Sequence, residues 1–140
     1  MDAISVLHTS HLNKHFGSVR AVEDVSLDIQ RGEIFGFLGP NGAGKTTTIS
    51  TLLGLTYATA GEITIFGERV TPRHNAVLRR VGTMVGAPEL ILAFSANRNL
   101  QFLSYLYPEL PARQRIDEVL ELVDLREVTK RPVRTFSSGM

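Results

Sequence analysis

The spacing of apolar positions changes along the chain, from strand-like alternation early to helical stripes late. Val25, Leu27 and Ile29 alternate with Ser26 and Asp28, which predicts a strand with one buried face. Residues 4–12 are mixed but strand-compatible, and Phe16, Gly17 and Ser18 read as a turn. Arg31, Gly32 and Glu33 turn the chain into the run Ile34, Phe35, Gly36, Phe37, Leu38. That run is apolar on both faces, as a buried parallel strand should be. Ile49, Leu52 and Leu53, at i, i+3 and i+4, predict a helix with a core-facing stripe, and Gly54 stands where its C-terminus favours a left-handed residue. Residues 61–67 alternate again, 72–80 suit a short helix with Pro72 in its first turn, and 81–85 read as another buried strand closing at Gly86, Ala87 and Pro88. From Ser95 the spacing is helical. Leu100, Leu103 and Tyr107, flanked by Phe102 and Leu106, give an apolar side that Pro108 ends, and Ile116, Val119, Leu120 and Val123 form a second stripe. The expected fold is α/β: antiparallel strands beside a parallel core, then a small helical subdomain.

Between the apolar run and the first helix lie Gly39, Pro40, Asn41, Gly42, Ala43, Gly44, Lys45, Thr46 and Thr47. A strand, a glycine loop ending in Gly-Lys-Thr and a helix form the context in which G-x-x-x-x-G-K-[ST] binds phosphate. Without Cβ atoms, Gly39, Gly42 and Gly44 let the loop turn through positive φ and bring N–H groups close to an anion at the positive end of the helix dipole. Lys45 is expected to reach the β- and γ-phosphates, Thr46 to put its hydroxyl on Mg²⁺, and Thr47 to bond the α-phosphate. The expected ligands are therefore ATP and Mg²⁺.

Composition narrows the partners. With 43% hydrophobic and 21% charged residues the chain suits a globular domain, and a formal charge of +1 gives no global attraction to nucleic acid or an anionic membrane. The absence of cysteine removes disulfide and thiolate-metal chemistry and fits a reducing cytosol. The opening residues do not form a signal peptide, and no apolar run approaches the ~20 residues that span a bilayer. Any membrane role then needs a partner.

Further motifs give the chain a family. Phe16 and Gly17 with Ala21, Val22, Glu23, Asp24, Val25, Ser26 and Leu27, the loop from Gly39 to Thr47, and the ending Phe136, Ser137, Ser138, Gly139, Met140 together resemble the nucleotide-binding domain of an ATP-binding cassette transporter. The resemblance covers the whole chain, and its ending is similar to the family signature L-S-G-G-Q. It implies a P-loop NTPase fold, incomplete here, organised as 1–85 nucleotide-binding core, 86–94 partner-sensing loop, 95–133 helical subdomain and 134–140 signature loop. It assigns Phe16 to stacking on adenine and Val22 to packing under the base or ribose. It assigns Ser137, Ser138 and Gly139 to the γ-phosphate held by a second copy, in a head-to-tail dimer that sandwiches ATP. It implies a membrane-spanning partner subunit, a peripheral place on the cytoplasmic face, and no nucleic acid. The function implied is coupling of ATP binding and hydrolysis to export, as in the bacitracin- or lantibiotic-export branch.

Two departures stand out. Where the family carries a Gln or Glu for Mg²⁺ the aligned residue is Gly86; Glu89 is close enough to substitute, but it reads first as a surface residue. The family's Mg²⁺-binding Asp, catalytic Glu and switch His follow the signature, so no catalytic residue is assigned within these 140 residues. His8, His11, His15 and His74 all precede the signature and read as surface residues. Without the Asp-bearing strand, residues 34–38 are expected to keep an unpaired edge and an uncovered face. Arg98 is also unexpected, since a cation in a helix's first turn opposes the dipole. The alternative reading is a regulatory module that binds ATP without hydrolysing it. A ribosome- or DNA-acting cassette lacks support in the form of paired cassettes or coiled coils, and a small kinase lacks a recognisable lid.

Overall fold

The computed structural model describes residues 4–86, 90–108, 111–137 and 139–140. It divides into two compact units, Met1–Ala87 and Pro88–Met140.

In the first unit, β1 (Ser5–Phe16) and β2 (Val19–Gln30) form a long hairpin, followed by α1 (Lys45–Leu52), β3 (Ala60–Ile65) and β4 (Glu68–Arg69). The sheet order is β2-β1-β3-β4, antiparallel throughout. The expected turn at Gly17 and Ser18 closes the hairpin, with Phe16 opposite Val19 and Gly17 at φ 57. A two-residue loop with positive φ matches the twist of the strands it joins. Opposite the single Asn13, between the Leu12–Val25 and Lys14–Val22 pairs, β2 carries both Glu23 and Asp24. This is a bulge: Asp24 takes φ 50, and its N–H donates to Asn13 Oδ1 at 3.1 Å. Leu12, Ile63, Ile65 and Val77 form the core, with Leu7, Val25 and Leu52 packed on it.

Helix α1 ends as expected. The Leu55 N–H donates to Ser50 O at 2.9 Å, the Gly54 N–H to Thr51 O at 3.2 Å, and Gly54 sits at φ 68, which together make a Schellman cap. Its buried face differs from expectation. Thr48 and Thr51 are buried, whereas Ile49 is 39% exposed. The two threonines enter the interior without loss because each hydroxyl donates to the carbonyl four residues earlier, Gly44 O at 3.0 Å and Thr47 O at 2.7 Å.

Two expected strands are corrected. Residues 34–38 and 81–85 belong to no strand ladder among the described residues. Ile34 is 99% exposed and Leu38 91%, and Met84 is also exposed. A parallel strand is held by neighbours along both edges and by helices over both faces, and the sheet formed here is the antiparallel one. The helix expected over 72–80 shrinks to a 3₁₀ turn at Ala76–Arg80, after a Thr71–His74 bridge, and inserts Val77 into the core.

The second unit holds α2 (Ala96–Ser104) and α3 (Ala112–Leu122). Ala96, Ile116 and Leu120 form its core, with Leu100, Leu125 and Phe136 against it. The apolar stripes are narrower than their spacing suggests: Phe102, Leu103, Leu106, Tyr107 and Val123 are exposed. Ser95 caps α2, accepting the Arg98 N–H at 3.2 Å. Arg98 offsets its unfavourable place on the dipole by stacking 4.1 Å from the centroid of the Phe94 ring. Asn99, unremarked in the sequence, is buried and clamps the preceding loop. Its Oδ1 accepts the Ile91 N–H at 2.9 Å, and its amide donates to Ile91 O and Ser95 O, each at 3.1 Å. Residues 91–97 are also laced to 129–134. Val133 N–H donates to Phe94 O at 2.9 Å, Arg134 N–H to Leu92 O at 3.0 Å, and Asn97 N–H to Thr129 O at 3.2 Å.

Candidate functional site

The glycine loop lies in the first unit, between residues 34–38 and α1. Gly42 and Gly44 carry the positive φ, 85 and 83, whereas Gly39 does not, a correction to the three-glycine expectation. Gly44 is the N-cap of α1 with no side-chain cap. Among the described residues the N–H groups of Gly44, Lys45, Thr46 and Thr47 have no acceptor; the first N–H of the helix to be bonded is that of Thr48, to Gly44 O at 2.8 Å. Four adjacent donors at the positive end of a helix are what an anion of several oxygens requires.

Gly44 also fixes where those donors stand. A Cβ on it would lie 2.1 Å from Ala21 O and 3.6 Å from Val22 Cγ2, so the loop backbone rests directly on β2. Lys45 folds back over the loop, donating to Gly39 O at 2.7 Å and Pro40 O at 2.6 Å. The Ala43 N–H donates to Pro40 O at 3.2 Å, closing the loop on itself. Thr46 is exposed, and its hydroxyl, unlike those of Thr48 and Thr51, makes no hydrogen bond among the described residues. A single free hydroxyl beside phosphate oxygens and water fits Mg²⁺, which takes few protein ligands at nucleotide sites. The described residues hold no cluster of three or more His, Asp or Glu that could bind a metal by itself.

A pocket of about 310 Å³ opens between β2 and the loop, lined by Arg20, Ala21, Val22, Glu23, Val25, Phe37, Gly42, Ala43 and Thr48. Val22 and the loop are thus brought together. Phe16 is not in this lining; it stands half-exposed at the hairpin end, with Lys14 Nζ 4.6 Å from its ring centroid. Pro40, Asn41 and Thr47 occupy the loop and first helical turn as the motif requires. Arg20 carries no expected role in the sequence, and neither does the carboxylate of Glu23; both line the pocket beside Val22.

The signature segment lies in the second unit. Phe136 packs on the helical core, and Arg131 donates to Thr135 O at 3.2 Å. Ser137 accepts the Met140 N–H at both its carbonyl, 3.1 Å, and its hydroxyl, 3.3 Å; Gly139 lies in the turn between them. Ser138, Glu89, Ala87 and Pro88 lie outside the described residues. Gly86 takes φ 79 and has open space around it. No helix among the described residues is long and apolar enough to cross a membrane.

The sequence profile described as ABC transporter matches residues 22–140. The bacitracin transport ATP-binding protein BcrA of Bacillus licheniformis is 41% identical over 97% of this chain, and the match spans 44% of that protein. The Nod factor export ATP-binding protein I of Ralstonia nicotianae is 36% identical over 96% of the chain and 43% of its own length. The chain therefore spans less than half the length of these relatives. Among solved structures, an ATP-binding cassette of an ABC transporter, MJ1267, superposes with a TM-score of 0.80 at 24% identity, covering 96% of this chain and 60% of that one. CbiO1 of Clostridium perfringens, part of the cbiONQ transporter complex, gives a TM-score of 0.83 at 22% identity, covering 95% of this chain and 56% of that one. At these identities the structural likeness speaks for the fold: a P-loop NTPase with an antiparallel N-terminal sheet.

Proposed function

Since the chain belongs to the ABC transporter family, we propose that it seats the triphosphate of ATP in a transporter's ATP-binding subunit, which couples nucleotide binding and hydrolysis to export. The observation that carries this reading is the row of four N–H groups at Gly44, Lys45, Thr46 and Thr47 that have no acceptor among the described residues, beside the Lys45 ammonium. Gly39, Pro40, Asn41, Gly42, Ala43 and Gly44 wrap the phosphates, and Thr46 holds Mg²⁺. Phe16 stacks on adenine through its exposed ring, and Val22 supports the ribose end. Mg²⁺, when bound, draws charge from the phosphate oxygens. The residues of this chain bind and orient; none of them is assigned the activation of water.

Ser137, Ser138 and Gly139 act in trans, on the nucleotide of a second copy. The membrane-spanning subunit is a separate partner, met on the cytoplasmic face through residues 86–94 and the helical unit. The exposed side chains Phe102, Tyr105, Leu106 and Tyr107 on and after α2 suit such a contact. Export as the direction draws on the relatives named for bacitracin transport and Nod factor export. The test is equilibrium titration with Mg-ATP alongside assay of phosphate release. Wild-type protein should bind with magnesium dependence, and Lys45→Ala should abolish binding. Equal affinity in the two proteins would overturn the reading.

A further inference from the structure

Lys45 is short of donors for the load assigned to it. An ammonium has three N–H groups, and two of them already serve Gly39 O and Pro40 O. Subtracting, 3 − 2 leaves one for phosphate, while a triphosphate carries several negative oxygens. Beside Mg²⁺ and the row of main-chain N–H groups, a further cationic side chain would take up the phosphate oxygens that Lys45 cannot reach, and Lys45 is the single cation of the loop itself.

Arg20 meets the requirement on three counts. It precedes Ala21, the residue on whose carbonyl Gly44 rests, and it lines the same pocket as Gly42 and Ala43. Its guanidinium has five N–H groups, and among the described residues one of them is bonded, Nη1 donating to Glu23 Oε1 at 2.9 Å. Four of the five remain for a ligand. The pair is also loosely held, both side chains being more than half exposed, at 69% and 55%, so the guanidinium can leave or share its carboxylate at little cost. A second irregularity accounts for the presence of that carboxylate: Arg20 pairs with His15 and Val22 with Lys14, so Ala21 is an extra residue between them, whereas regular alternation would send Glu23 to the opposite face from Arg20.

We propose that Arg20 is a second phosphate-binding cation of this site, forking onto the polyphosphate beside the loop, and that Glu23 holds it in waiting and tempers its affinity. The inference rests on the function proposed above. An arginine suits the task because its planar fork bonds two phosphate oxygens at once, where a lysine offers a point charge.

The test is fluorescence titration of the purified protein with Mg-ATP, Mg-ADP and adenosine, for wild type, Arg20→Met, Arg20→Lys, Glu23→Gln and Lys45→Ala. Arg20→Met keeps the aliphatic stem, so the fold is retained. It should weaken Mg-ATP about tenfold and leave adenosine unchanged, while Arg20→Lys recovers part of the loss. Glu23→Gln releases the guanidinium and should tighten Mg-ATP about two- to threefold. Should Arg20→Met and Glu23→Gln both bind Mg-ATP as wild type does while Lys45→Ala fails to bind, Arg20 has no such role and the nucleotide site stands. Should Lys45→Ala also bind normally, the nucleotide site itself is wrong.

Discussion

The seat of Gly44 on β2 predicts that two neighbouring glycines respond very differently to the same substitution. Gly42 and Gly44 share nearly the same left-handed φ, 85 and 83. Alanine at either position carries the same left-handed strain, about 1–2 kcal/mol. Around Gly42 a Cβ meets nothing within 4 Å; at Gly44 it meets Ala21 O at 2.1 Å and Ala21 C at 3.3 Å. An ordinary contact begins near 3.4 Å, so the Gly44 backbone and β2 must separate by roughly 1 Å, or the loop must leave its conformation. Such overpacking adds about 1–3 kcal/mol beyond the shared strain. Thermal denaturation and Mg-ATP titration of Gly42→Ala and Gly44→Ala measure the difference, because the strain cancels between them. Gly44→Ala should have the lower midpoint and an affinity at least about tenfold weaker than Gly42→Ala, since the displaced amides are those of the anion site. Indistinguishable variants would refute the claim that β2 supports the phosphate loop.

Three further outcomes follow from other sites. Asn99→Leu leaves the Ile91 N–H and C=O without their partner, and should destabilise the second unit by about 2–4 kcal/mol; hydrogen exchange at the Ile91 amide no faster than in wild type would count against the clamp. Ile34→Thr combined with Leu38→Thr should reduce self-association of the 140-residue chain in light scattering without lowering its thermal midpoint, because both side chains are exposed; a lower midpoint would mean that they pack on something. The Glu118 carboxyl is held below the ordinary carboxylate range, first by the hydrogen bond from Arg115 and then by that from Gln114. Its folded value being depressed, its contribution to stability is present above the unfolded-state pKa and fades as pH falls through the folded one. An NMR titration midpoint at the ordinary value would contradict this.

What the sequence revealed was whatever depended on local chemistry. The hairpin turn at Gly17, the left-handed end of α1 at Gly54 and the positive φ of Gly42 and Gly44 each rest on a few adjacent residues with special backbone properties. Tertiary partners were harder to read. The run Ile34 to Leu38 carries the mark of a buried strand, but burial is a property of what lies beside it, and its own residues cannot supply that. Thr48 and Thr51 displaced Ile49 from the core because their hydroxyls bond within the helix, something an apolar count cannot register. Asn99 escaped notice for a similar reason: its partners are main-chain groups of residues 91–95, invisible to any pattern of side chains. The pairing of Arg20 with Glu23 was equally hidden, because the extra residue at Ala21 that brings them to one side appears only once the strands are paired.

The lacing between residues 91–97 and 129–134 gives the second unit an unusual mechanical wiring. Most of α2 and all of α3 separate these stretches along the chain, yet three main-chain bonds join them, one of them from Asn97 in the first turn of α2. Force applied to the loop at Leu92 or Phe94 therefore arrives at Val133 and Arg134, immediately ahead of Phe136 and Ser137, without travelling through α2 or α3. Whatever presses on one stretch tugs the other, and their amides should open to exchange in concert.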